Sequence, residues 1–366
     1  MSTATPEQQL FEAARRGDED AYRPLVEPHR GELHAHCYRM LGSVHDAEDA
    51  YQEAMLRAWR ALPKFEGRSS LRSWLYRIAT NTSLDAIEKR PKRVLPVDYT
   101  EAADPHDGPG EPVAELVWVE PFADERLEIE DGPAGPEARY EQREAVELAF
   151  IAALQHLPPN QRAVLILREV LGFSAKEVGE ALETTTASVN SALQRARAAV
   201  DDKLPEQSQQ KTLRELGDER LRELVDRYVE AWESRDVDTV VEMLAEDATF
   251  AMPPLASWFG GREAIETFLV GSPLSGDWDW RALRTQANGQ VALGFYTWNP
   301  EQNAYMAFAL NVLSFRGELI RDVTAFIVTV APSAESEVVL RMPEHPVDPL
   351  MMAAAFEQFG LPERLD

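Results

Sequence analysis

The chain has 366 residues, of which 44% are hydrophobic, and a formal net charge of −26. This length and hydrophobic content predict two or three domains with cores of their own. The one cysteine, Cys37, excludes a disulfide framework, and the polar, acidic N-terminus predicts no signal peptide. No apolar run approaches the roughly 18 residues of a membrane span. We therefore expect a cytoplasmic protein with no membrane partner.

Residues 1–93 show helical periodicity without strand alternation, which predicts a first all-α domain. Helices are expected near 7–16, 18–40, 46–62 and 69–89. In the third helix, small and aromatic residues share one face, which leaves an outer face suited to docking a partner helix. That outer face comprises Asp49, Gln52, Glu53, Leu56 and Arg60.

Three histidines and the cysteine lie close together in this domain, at His34, His36, Cys37 and His45. A metal site needs side chains that converge, and His-x-His-Cys on a helix directs its side chains apart. No second pair of ligands follows at a suitable spacing. We therefore expect no metal and no other cofactor.

Residues 65–93 combine aromatic side chains, an amide and basic groups on and around one helix. Aromatic faces stack on unpaired bases and Arg or Lys holds phosphates, so this surface suits single-stranded DNA. Between 64 and 93, eight basic residues stand against three acidic ones, although the whole chain is acidic. The spacing of Leu71, Trp74 and Ile78 also fits a plain amphipathic core helix, and that alternative stays open.

Residues 94–139 are predicted to form a linker, in which thirteen acidic residues stand against two basic ones and Pro and Gly recur. This composition breaks helices and predicts an extended connection. One hypothesis is that its apolar centre docks on the C-terminal domain while the flanking acidic residues cover the basic segment as a DNA mimic. The alternative is a plain spacer. The apolar centre comprises Val117, Trp118, Val119, Pro121 and Phe122.

Residues 140–205 are predicted to form a second all-α domain, with two helices over 140–170 followed by a helix-turn-helix. Ser174 and Glu177 have the spacing of a capping box, and a threonine of the turn is expected to cap the next helix. Such a second helix can enter the major groove of DNA, although similar hairpins also serve packing alone. Its candidate DNA-binding residues are Ser188, Asn190, Ser191, Gln194, Arg195 and Arg197.

Two DNA-facing modules in this order, joined by a linker, resemble the extracytoplasmic function (group 4) sigma factors of bacterial RNA polymerase. The resemblance covers about the first 205 residues. It rests on HDAEDAYQEAMLRAWRAL at 45–62, FEGRSSLRSWLYRIATNTSLDAI at 65–87 and LPPNQRAVLILREVLGFSAKEVGEAL at 157–182. It implies sigma region 2 over 1–93, sigma region 4 over 140–205, and core RNA polymerase and promoter DNA as partners.

The resemblance also implies roles for residues. The first segment would bind polymerase through the outer face defined above. The second would melt and read the promoter minus-ten element, with loop 65–72 receiving an extruded base, and the helix after the third segment would read the minus-thirty-five element. The implied minus-ten residues are Phe65, Arg68, Arg72, Trp74, Tyr76, Arg77, Asn81, Lys89 and Arg90.

The recognition helix departs from the family pattern. Family members commonly carry basic residues where this chain has Asn190 and Ala192, and a glycine in the turn where it has Glu183. One Arg–guanine contact contributes roughly 1 to 3 kcal/mol of discrimination. We therefore expect weak or altered readout of the upstream element.

In residues 206–330 helical segments precede alternating stretches at 291–298, 304–315 and 319–328, which predicts an α+β domain with a curved antiparallel sheet. The order resembles the SnoaL-like, nuclear transport factor 2-like fold, most clearly in RYVEAWESRDVDTVVEMLAEDATFAMPP. That fold hosts isomerases and cyclases, but no recognisable catalytic pair occurs here, so we expect no enzyme. The candidate ligand-pocket residues are Met252, Trp258, Trp298, Tyr305, Asn311 and Asp322.

Residues 331–366 are predicted to form a C-terminal tail with a short amphipathic helix. A short helix rarely stands alone in water, so we expect this one to dock on its own protein, with the sigma modules as one candidate surface. The apolar residues of the helix are Met351, Met352, Ala355, Phe356 and Phe359.

The predicted fold class is therefore multidomain, with two all-α DNA-binding domains followed by an α+β domain. The favoured function is an alternative sigma factor whose C-terminal domain regulates activity in cis. A small ligand and a separate anti-sigma protein are further candidate partners. Two alternatives stay open: a helix-turn-helix regulator that acts without polymerase, and a bifunctional protein with SnoaL-type isomerase or cyclase activity.

Overall fold

The structure is a computed structural model that describes residues 6–110, 118–127, 143–328 and 355–366. Within these ranges no helix is both long enough and apolar enough to cross a membrane. The same ranges contain no group of three or more His, Cys, Asp or Glu side chains that could hold a metal ion.

The chain divides into two compact units. The first comprises Met1–Arg93 and Glu125–Leu204, and the second comprises Val94–Asp124 and Pro205–Asp366. Both helical modules therefore belong to one unit. The linker predicted over 94–139 divides at residue 124, and its first part belongs with the α+β domain.

The N-terminal helical module is built from helices and turns. The sequence predicted one helix over 18–40, and this prediction is wrong, because a helix ends at Val26 and a 3-10 turn with Pro28 precedes the next helix. Proline lacks the N–H that an α-helix needs, so the helix breaks there. The helices are α1 Pro6–Arg15, α2 Glu19–Val26, α3 Arg30–Leu41, α4 Val44–Ala61 and α5 Leu71–Ile87.

Side-chain caps fix where three of these helices begin. Asp18, Ser43 and Ser70 each accept hydrogen bonds from backbone N–H groups of the first turn, and such a cap contributes about 1 kcal/mol. Ten of the twelve residues of α3 are buried, so α3 is the centre of this module. It ends at Gly42, whose φ of +70° lies in the left-handed region that favours glycine.

The helix-turn-helix module completes the first unit. The helix predicted over 140–157 is interrupted: residues 143–144 are helical, a turn follows at 145–146, and a new helix begins at Leu148 after the non-helical backbone of Glu147. Residues 140–142 lie outside the described ranges. A π-helical turn, Ile166–Val170, follows the second helix of the module. The helices are α6 Leu148–Gln155, α7 Pro159–Leu165, α8 Ala175–Ala181 and α9 Thr186–Asp201.

The predicted caps of the helix-turn-helix are confirmed. The Ser174 N–H donates to the Glu177 carboxylate at 2.8 Å, and the Glu177 N–H donates to the Ser174 hydroxyl at 3.2 Å. Thr185 caps α9 by accepting the N–H of Ser188 at 3.1 Å. The turn residue Glu183 has φ of +52°. The chain therefore adopts the left-handed turn that a glycine would favour, at a cost of roughly 1 kcal/mol for a residue with a Cβ.

The second unit contains a curved sheet with helices packed against its inner face, as predicted. The helices are α10 Gln209–Leu216, α11 Asp218–Ser234, α12 Val237–Glu242 and α13 Arg262–Gly271. The strands are β1 Leu244–Ala251, β2 Trp258–Gly260, β3 Trp280–Ala287, β4 Gln290–Asn299, β5 Ala304–Arg316, β6 Leu319–Ile327 and β7 Arg364–Leu365. The strand order is β2-β1-β6-β5-β4-β3, and β7 pairs with the start of β5.

Aromatic packing closes the inner face of this sheet. The Trp232 ring of α11 lies 4.9 Å from Phe295, 5.9 Å from Trp280 and 6.4 Å from Phe250, measured between ring centroids. All four side chains are buried. Because the contacts join one helix to β1, β3 and β4, they fix the helix across the curved sheet.

Only β1 and β6 pair in parallel; the remaining described pairs of strands are antiparallel.

The first part of the linker docks on both edges of this sheet. At the β2 edge, the Trp258 indole N–H donates to the Thr100 carbonyl at 2.9 Å, and the Ala103 N–H donates to the Trp258 carbonyl at 2.9 Å. At the β3 edge, the Phe122 N–H donates to Asn288 Oδ1 at 2.9 Å, and the Asn288 N–H donates back to the Phe122 carbonyl at 2.8 Å. Docking on the α+β domain is thus confirmed for the described residues, and Val117 lies outside them.

The end of the tail also docks on the α+β domain. Phe356 is buried 5.2 Å from the Tyr296 ring, and the Tyr296 hydroxyl donates to the Pro362 carbonyl at 2.8 Å. A Cβ at Gly294 would lie 2.5 Å from Leu361, so the glycine makes room for the tail. The predicted self-docking is confirmed for Phe356 and Phe359, while Met351 and Met352 lie outside the described residues.

Burial of His36 predicts an acid-sensitive N-terminal module. Burial, reinforced by nearby Arg39, lowers the pKa of His36 to about 3, whereas an unfolded histidine has a pKa of about 6.5. Between these values the unfolded state binds the proton, so stability is full above pH 6.5 and falls with acidification. We expect α3 to lose about 2 kcal/mol of protection between pH 7.5 and pH 5.

Hydrogen exchange of the α3 peptide, corrected for intrinsic rates, measures this loss. His36→Gln removes the titration of His36 alone, because burial also lowers the pKa of His34 in the same helix, to about 4. Glutamine retains a donor for the Thr80 hydroxyl, which His36 Nε2 contacts at 2.9 Å. The variant should therefore show the smaller pH dependence. Equal dependence in both proteins would mean that His36 is not the group responsible.

Candidate polymerase and promoter interface

The five residues predicted to bind polymerase share the outer face of α4. Ala47, Ala50, Ala54 and Ala58 occupy the opposite, buried face, so helical periodicity directs the predicted set outward. Leu56, an apolar side chain in the middle of this face, is 50% exposed. Acidic, amide, apolar and basic groups thus form one continuous strip, given by Asp49, Gln52, Glu53, Leu56 and Arg60.

The predicted minus-ten residues fall into two groups. The polar members Arg68, Arg77, Asn81 and Lys89 are exposed. The aromatic members are packed into the module: Trp74 and Tyr76 are 5% and 1% exposed, and Phe65 lies 4.8 Å from the Trp74 ring. The core-helix alternative therefore describes the aromatic side chains, and the DNA-facing alternative fits the polar ones.

Arg90 of this set is engaged in an ion-pair cluster beside the polymerase face. Asp46 accepts from the Arg93 guanidinium at 2.7 Å and also pairs with Arg90. Arg90 in addition contacts Asp49 at 3.2 Å. The end of α5 is therefore tied to the start of α4, which fixes the predicted DNA face relative to the predicted polymerase face.

Arg72 and Tyr76 form a rigid pair on α5, which we call the platform. The Arg72 guanidinium lies 4.8 Å from the centroid of the Tyr76 ring. Glu32 fixes both groups: it accepts from Arg72 Nε and from the Tyr76 hydroxyl, each at 3.0 Å. Burial would raise the pKa of Glu32, but hydrogen bonds from His29, Arg72 and Tyr76 outweigh it and lower that pKa. Glu32 is thus held as an anion that orients the platform.

Phe173 of the helix-turn-helix module covers this platform. Its ring centroid lies 5.4 Å from that of Tyr76, and the Arg72 guanidinium lies 5.3 Å from it. The sequence did not single out Phe173. Its position before the cap Ser174 is that of a hydrophobic staple, which suggests a contact within α8. No local pattern indicates a contact with α5.

Buried hydrogen bonds also join the two helical modules. Arg162 of α7 donates to Gln155 Oε1 at 2.6 Å and also to the Met40 carbonyl at the end of α3. Gln155 in turn donates to the Arg39 carbonyl at 3.2 Å, and Arg39 Nε donates to the Ala145 carbonyl at 2.9 Å. Burial lowers the pKa of both arginines to about 10. Both still carry a charge at neutral pH.

The predicted recognition face of α9 is exposed. Val189, Leu193, Ala196 and Val200 form its buried face, and the predicted DNA-binding residues lie on the other side. Arg195 donates to the Ser191 hydroxyl at 2.7 Å, whereas Arg197 is bound by both oxygens of Glu169 at 2.8 Å. The exposed members are Ser188, Asn190, Ser191, Gln194, Arg195 and Arg197.

The six candidate ligand-pocket residues do not line one pocket. Asn311 pairs with two residues of the inner core, and Met252 is buried in that core. Asp322 alternates with the inward-facing Val323 and binds the Thr249 hydroxyl at 2.9 Å on the other face. Trp258 bonds the linker, and Trp298 is 39% exposed and packs 5.2 Å from Tyr305. The set is therefore divided among the core, the opposite face and the surface.

Comparison with known proteins agrees with this architecture. The Sigma-70 region 2 model matches residues 25–93, the Sigma-70 region 4 model matches 141–200, and the SnoaL-like domain model matches 225–323. The chain is 43% identical over 327 residues to the ECF RNA polymerase sigma factor SigG of Mycobacterium tuberculosis, covering 86% of this chain and 82% of that protein. The chain belongs to the extracytoplasmic function (ECF) sigma factor family.

A second relative matches a shorter part of the chain. The chain is 32% identical over 205 residues to the RNA polymerase sigma-H factor of Pseudomonas aeruginosa, covering 56% of this chain and 96% of that one. The crystal structure of the M. tuberculosis ECF sigma factor SigJ has the same fold, with a TM-score of 0.53 and 23% identity over 83% of this chain and 95% of that chain. The predicted fold class is confirmed, and this ECF sigma factor is a transcription initiation factor, not an enzyme.

Arg162→Met should loosen the contact between the two helical modules. Methionine keeps an apolar stem of similar length but has no donor, so the acceptors on Met40 and Gln155 lose their partner. Hydrogen bonds from charged groups contribute roughly 1.5 to 3 kcal/mol. We expect protection of the peptides at the end of α3 and in α6 to fall by about that amount, measured by hydrogen exchange.

Arg195→Met is the matched control. This arginine is exposed, and its hydrogen bond to Ser191 lies within the recognition helix. The same substitution there should leave α3 and α6 protected. Equal effects of both variants would show that the Arg162 contacts do not hold the modules together.

Proposed function

We propose that this ECF sigma factor directs core RNA polymerase to specific promoters in the cytoplasm and that its SnoaL-like domain restrains it in cis by holding the linker. In this proposal the outer face of α4 binds polymerase, the polar residues of α5 contact the minus-ten element, and α9 reads the minus-thirty-five element. The similarity to SigG supports the first part. The observation that carries the second is the docking of the linker on both sheet edges, through Thr100 and Ala103 at β2 and through Phe122 at β3.

Promoter geometry requires the helical modules to separate. The names of the two elements place them about 25 base pairs apart, which at a rise of 3.4 Å is roughly 85 Å. A compact unit of roughly 170 residues has a radius of gyration of about 16 Å. The first unit, with α3 bonded to α6 and α7, is therefore too small to contact both elements at once.

The docked linker limits that separation. Residues 94–124 would reach roughly 100 Å if fully extended. In the docked form, the distance between the β2 edge and the β3 edge is five strand spacings of about 4.8 Å, or roughly 24 Å. The docked linker therefore covers only that distance. The remaining residues 125–139 add about 50 Å at full stretch. Docking therefore shortens the longest separation that residues 94–139 allow from roughly 150 Å to about 75 Å. Release of the linker widens the range of separations and so favours the promoter-bound form.

Asn288→Gly tests the restraint. Asn288 has φ of +56°, which glycine adopts without strain, and the substitution removes the side-chain acceptor of the Phe122 N–H. We expect residues 118–124 to exchange amide hydrogens several-fold faster, because each lost hydrogen bond contributes about 1 kcal/mol. Run-off transcription with core polymerase should increase in parallel.

Asn303→Gly is the matched control, since Asn303 also has a left-handed backbone, with φ of +48°, and is exposed in the β4–β5 turn. It should change neither measurement. Faster exchange of the linker in Asn288→Gly without any change in transcription would contradict regulation through the linker and leave the sigma function itself intact.

Leu56→Glu tests the polymerase face. The side chain is exposed, so the fold should persist, and a charge at the centre of a helix-docking strip should weaken binding of core polymerase by at least roughly thirtyfold, as for a hot-spot loss of about 2 kcal/mol. Fluorescence anisotropy of the labelled full chain with core enzyme measures this change. Val270→Glu, at a 55% exposed position of α13, is the control. Undiminished binding by Leu56→Glu would favour a regulator that acts without polymerase.

A further inference from the structure

The structure points to a second role for the contact between Phe173 and the platform of Arg72 and Tyr76. We propose that the platform is a stacking site for one unpaired base of the promoter strand and that Phe173 occupies the place of this base while the modules are packed together. The inference deepens the proposed sigma function and rests on it. It names the occupant of the site, a nucleobase of single-stranded DNA.

The platform has the properties of a base-stacking site. The planar Arg72 guanidinium lies over the Tyr76 ring, and Glu32 holds both through hydrogen bonds of 3.0 Å. Proteins bind unstacked bases on aromatic rings and guanidinium planes of this kind. Because Glu32 fixes the two side chains from the protein side, little side-chain freedom remains to be lost when a planar ring arrives.

Phe173 presents a planar ring to this platform from a fixed backbone. Gly172, with φ of +71°, turns the chain immediately before it. The Phe173 N–H donates to the Leu167 carbonyl at 2.9 Å, and the Phe173 carbonyl accepts from Arg168. The ring is 8% exposed. The ring meets Tyr76 edge to face, at an interplanar angle of 68°, and the Arg72 guanidinium lies over its face. A phenyl ring offers a flat π-face to that guanidinium, as a base does, but has no hydrogen-bonding edge, so it can fill the site without imitating any particular base.

Exposed polar groups occupy other sides of the same helix and the loop before it. Arg77 and Asn81 are exposed on α5, and Arg68 is exposed in the loop before it. They belong to the same element as the platform, so a strand whose base replaced Phe173 can continue around α5 to cations for its phosphates and an amide for a base edge. Duplex DNA offers no free base face, so only an opened strand competes with Phe173. The packed modules and the melted promoter thereby exclude each other at one site.

Binding of single-stranded DNA by the full chain, without polymerase, tests the inference. The probe is a fluorescent 12-nucleotide strand of mixed sequence, followed by anisotropy. Since stacking of a base contributes roughly 1 to 3 kcal/mol, Phe173→Ala should bind the strand at least fivefold more tightly than the parent. The salt dependence should stay the same, because the vacated site adds stacking and no new phosphate contact.

Two double variants identify the site of the gain. Phe173→Ala combined with Arg72→Ala should lose it, and so should Phe173→Ala combined with Arg72→Lys, since lysine keeps the charge but lacks the plane. Phe359→Ala removes a buried ring from the second unit and should bind like the parent. A gain that persists in the Arg72→Lys double variant would overturn the stacking site.

A second substitution, Phe173→Leu, tests the inference if the Phe173→Ala protein does not fold. Phe173→Leu keeps apolar volume but removes the ring, and it should give a smaller gain of the same sign; circular dichroism and thermal unfolding verify both proteins. No gain in either folded variant would refute the inference. Run-off transcription by the parent chain is a separate readout: discrete transcripts without any gain in strand binding would retain the sigma function and remove only the role of Phe173.

Discussion

The buried Arg162 guanidinium is the interaction on which the first unit depends. It bonds the end of α3, the Gln155 side chain and the carbonyls of Gln155 and Leu157. A buried charge needs acceptors for its donors, and four hydrogen bonds from the two terminal nitrogens hold the helix end, the amide and the turn after α6 together. The close approach leaves no room for a side chain at Gly42, whose added Cβ would lie 3.0 Å from Gln155. The contact of Phe173 with the platform exists because this packing brings α5 and the helix-turn-helix module together.

The second unit applies a different constraint to the same chain. Edge strands expose unpaired backbone groups, which proteins cover or twist away. Here the linker covers them, through Trp258 at β2 and Asn288 at β3. The tail covers a neighbouring part of the sheet, where the Thr285 hydroxyl donates to the Phe359 carbonyl at 2.6 Å. Linker and tail therefore cover the exposed strands of the α+β domain. A linker that is bound to this domain is less free to extend between the two helical modules.

Local signals in the sequence predicted the local structure well. The capping box at Ser174, the alanine face of α4 and the alternating strands β4 to β6 are each encoded within a few residues. The sequence missed β3, because Arg, Leu, Ala and Gln in Trp280–Ala287 favour helix as strongly as strand. Burial of Trp74 and Tyr76, both members of the predicted minus-ten set, could not be predicted, because one amphipathic helix is compatible with a core role and with a DNA-facing one. The contacts of Phe173 and Asn288 join residues far apart in sequence, and no short pattern reports them.

The two proposed restraints are the docked linker and the contact of Phe173 with the platform. Both are individually weak, and both oppose the separation of the helical modules. Each consists of a few hydrogen bonds or ring contacts, and such contacts contribute about 1 kcal/mol each in net terms. A nanomolar complex with polymerase corresponds to about −12 kcal/mol, so its formation can offset both, provided that polymerase binds the separated modules better than the packed ones. The outer face of α4 is exposed while the platform is covered. If polymerase binds that face, as we propose, it can engage the packed form first, and the resulting separation of the modules uncovers the platform.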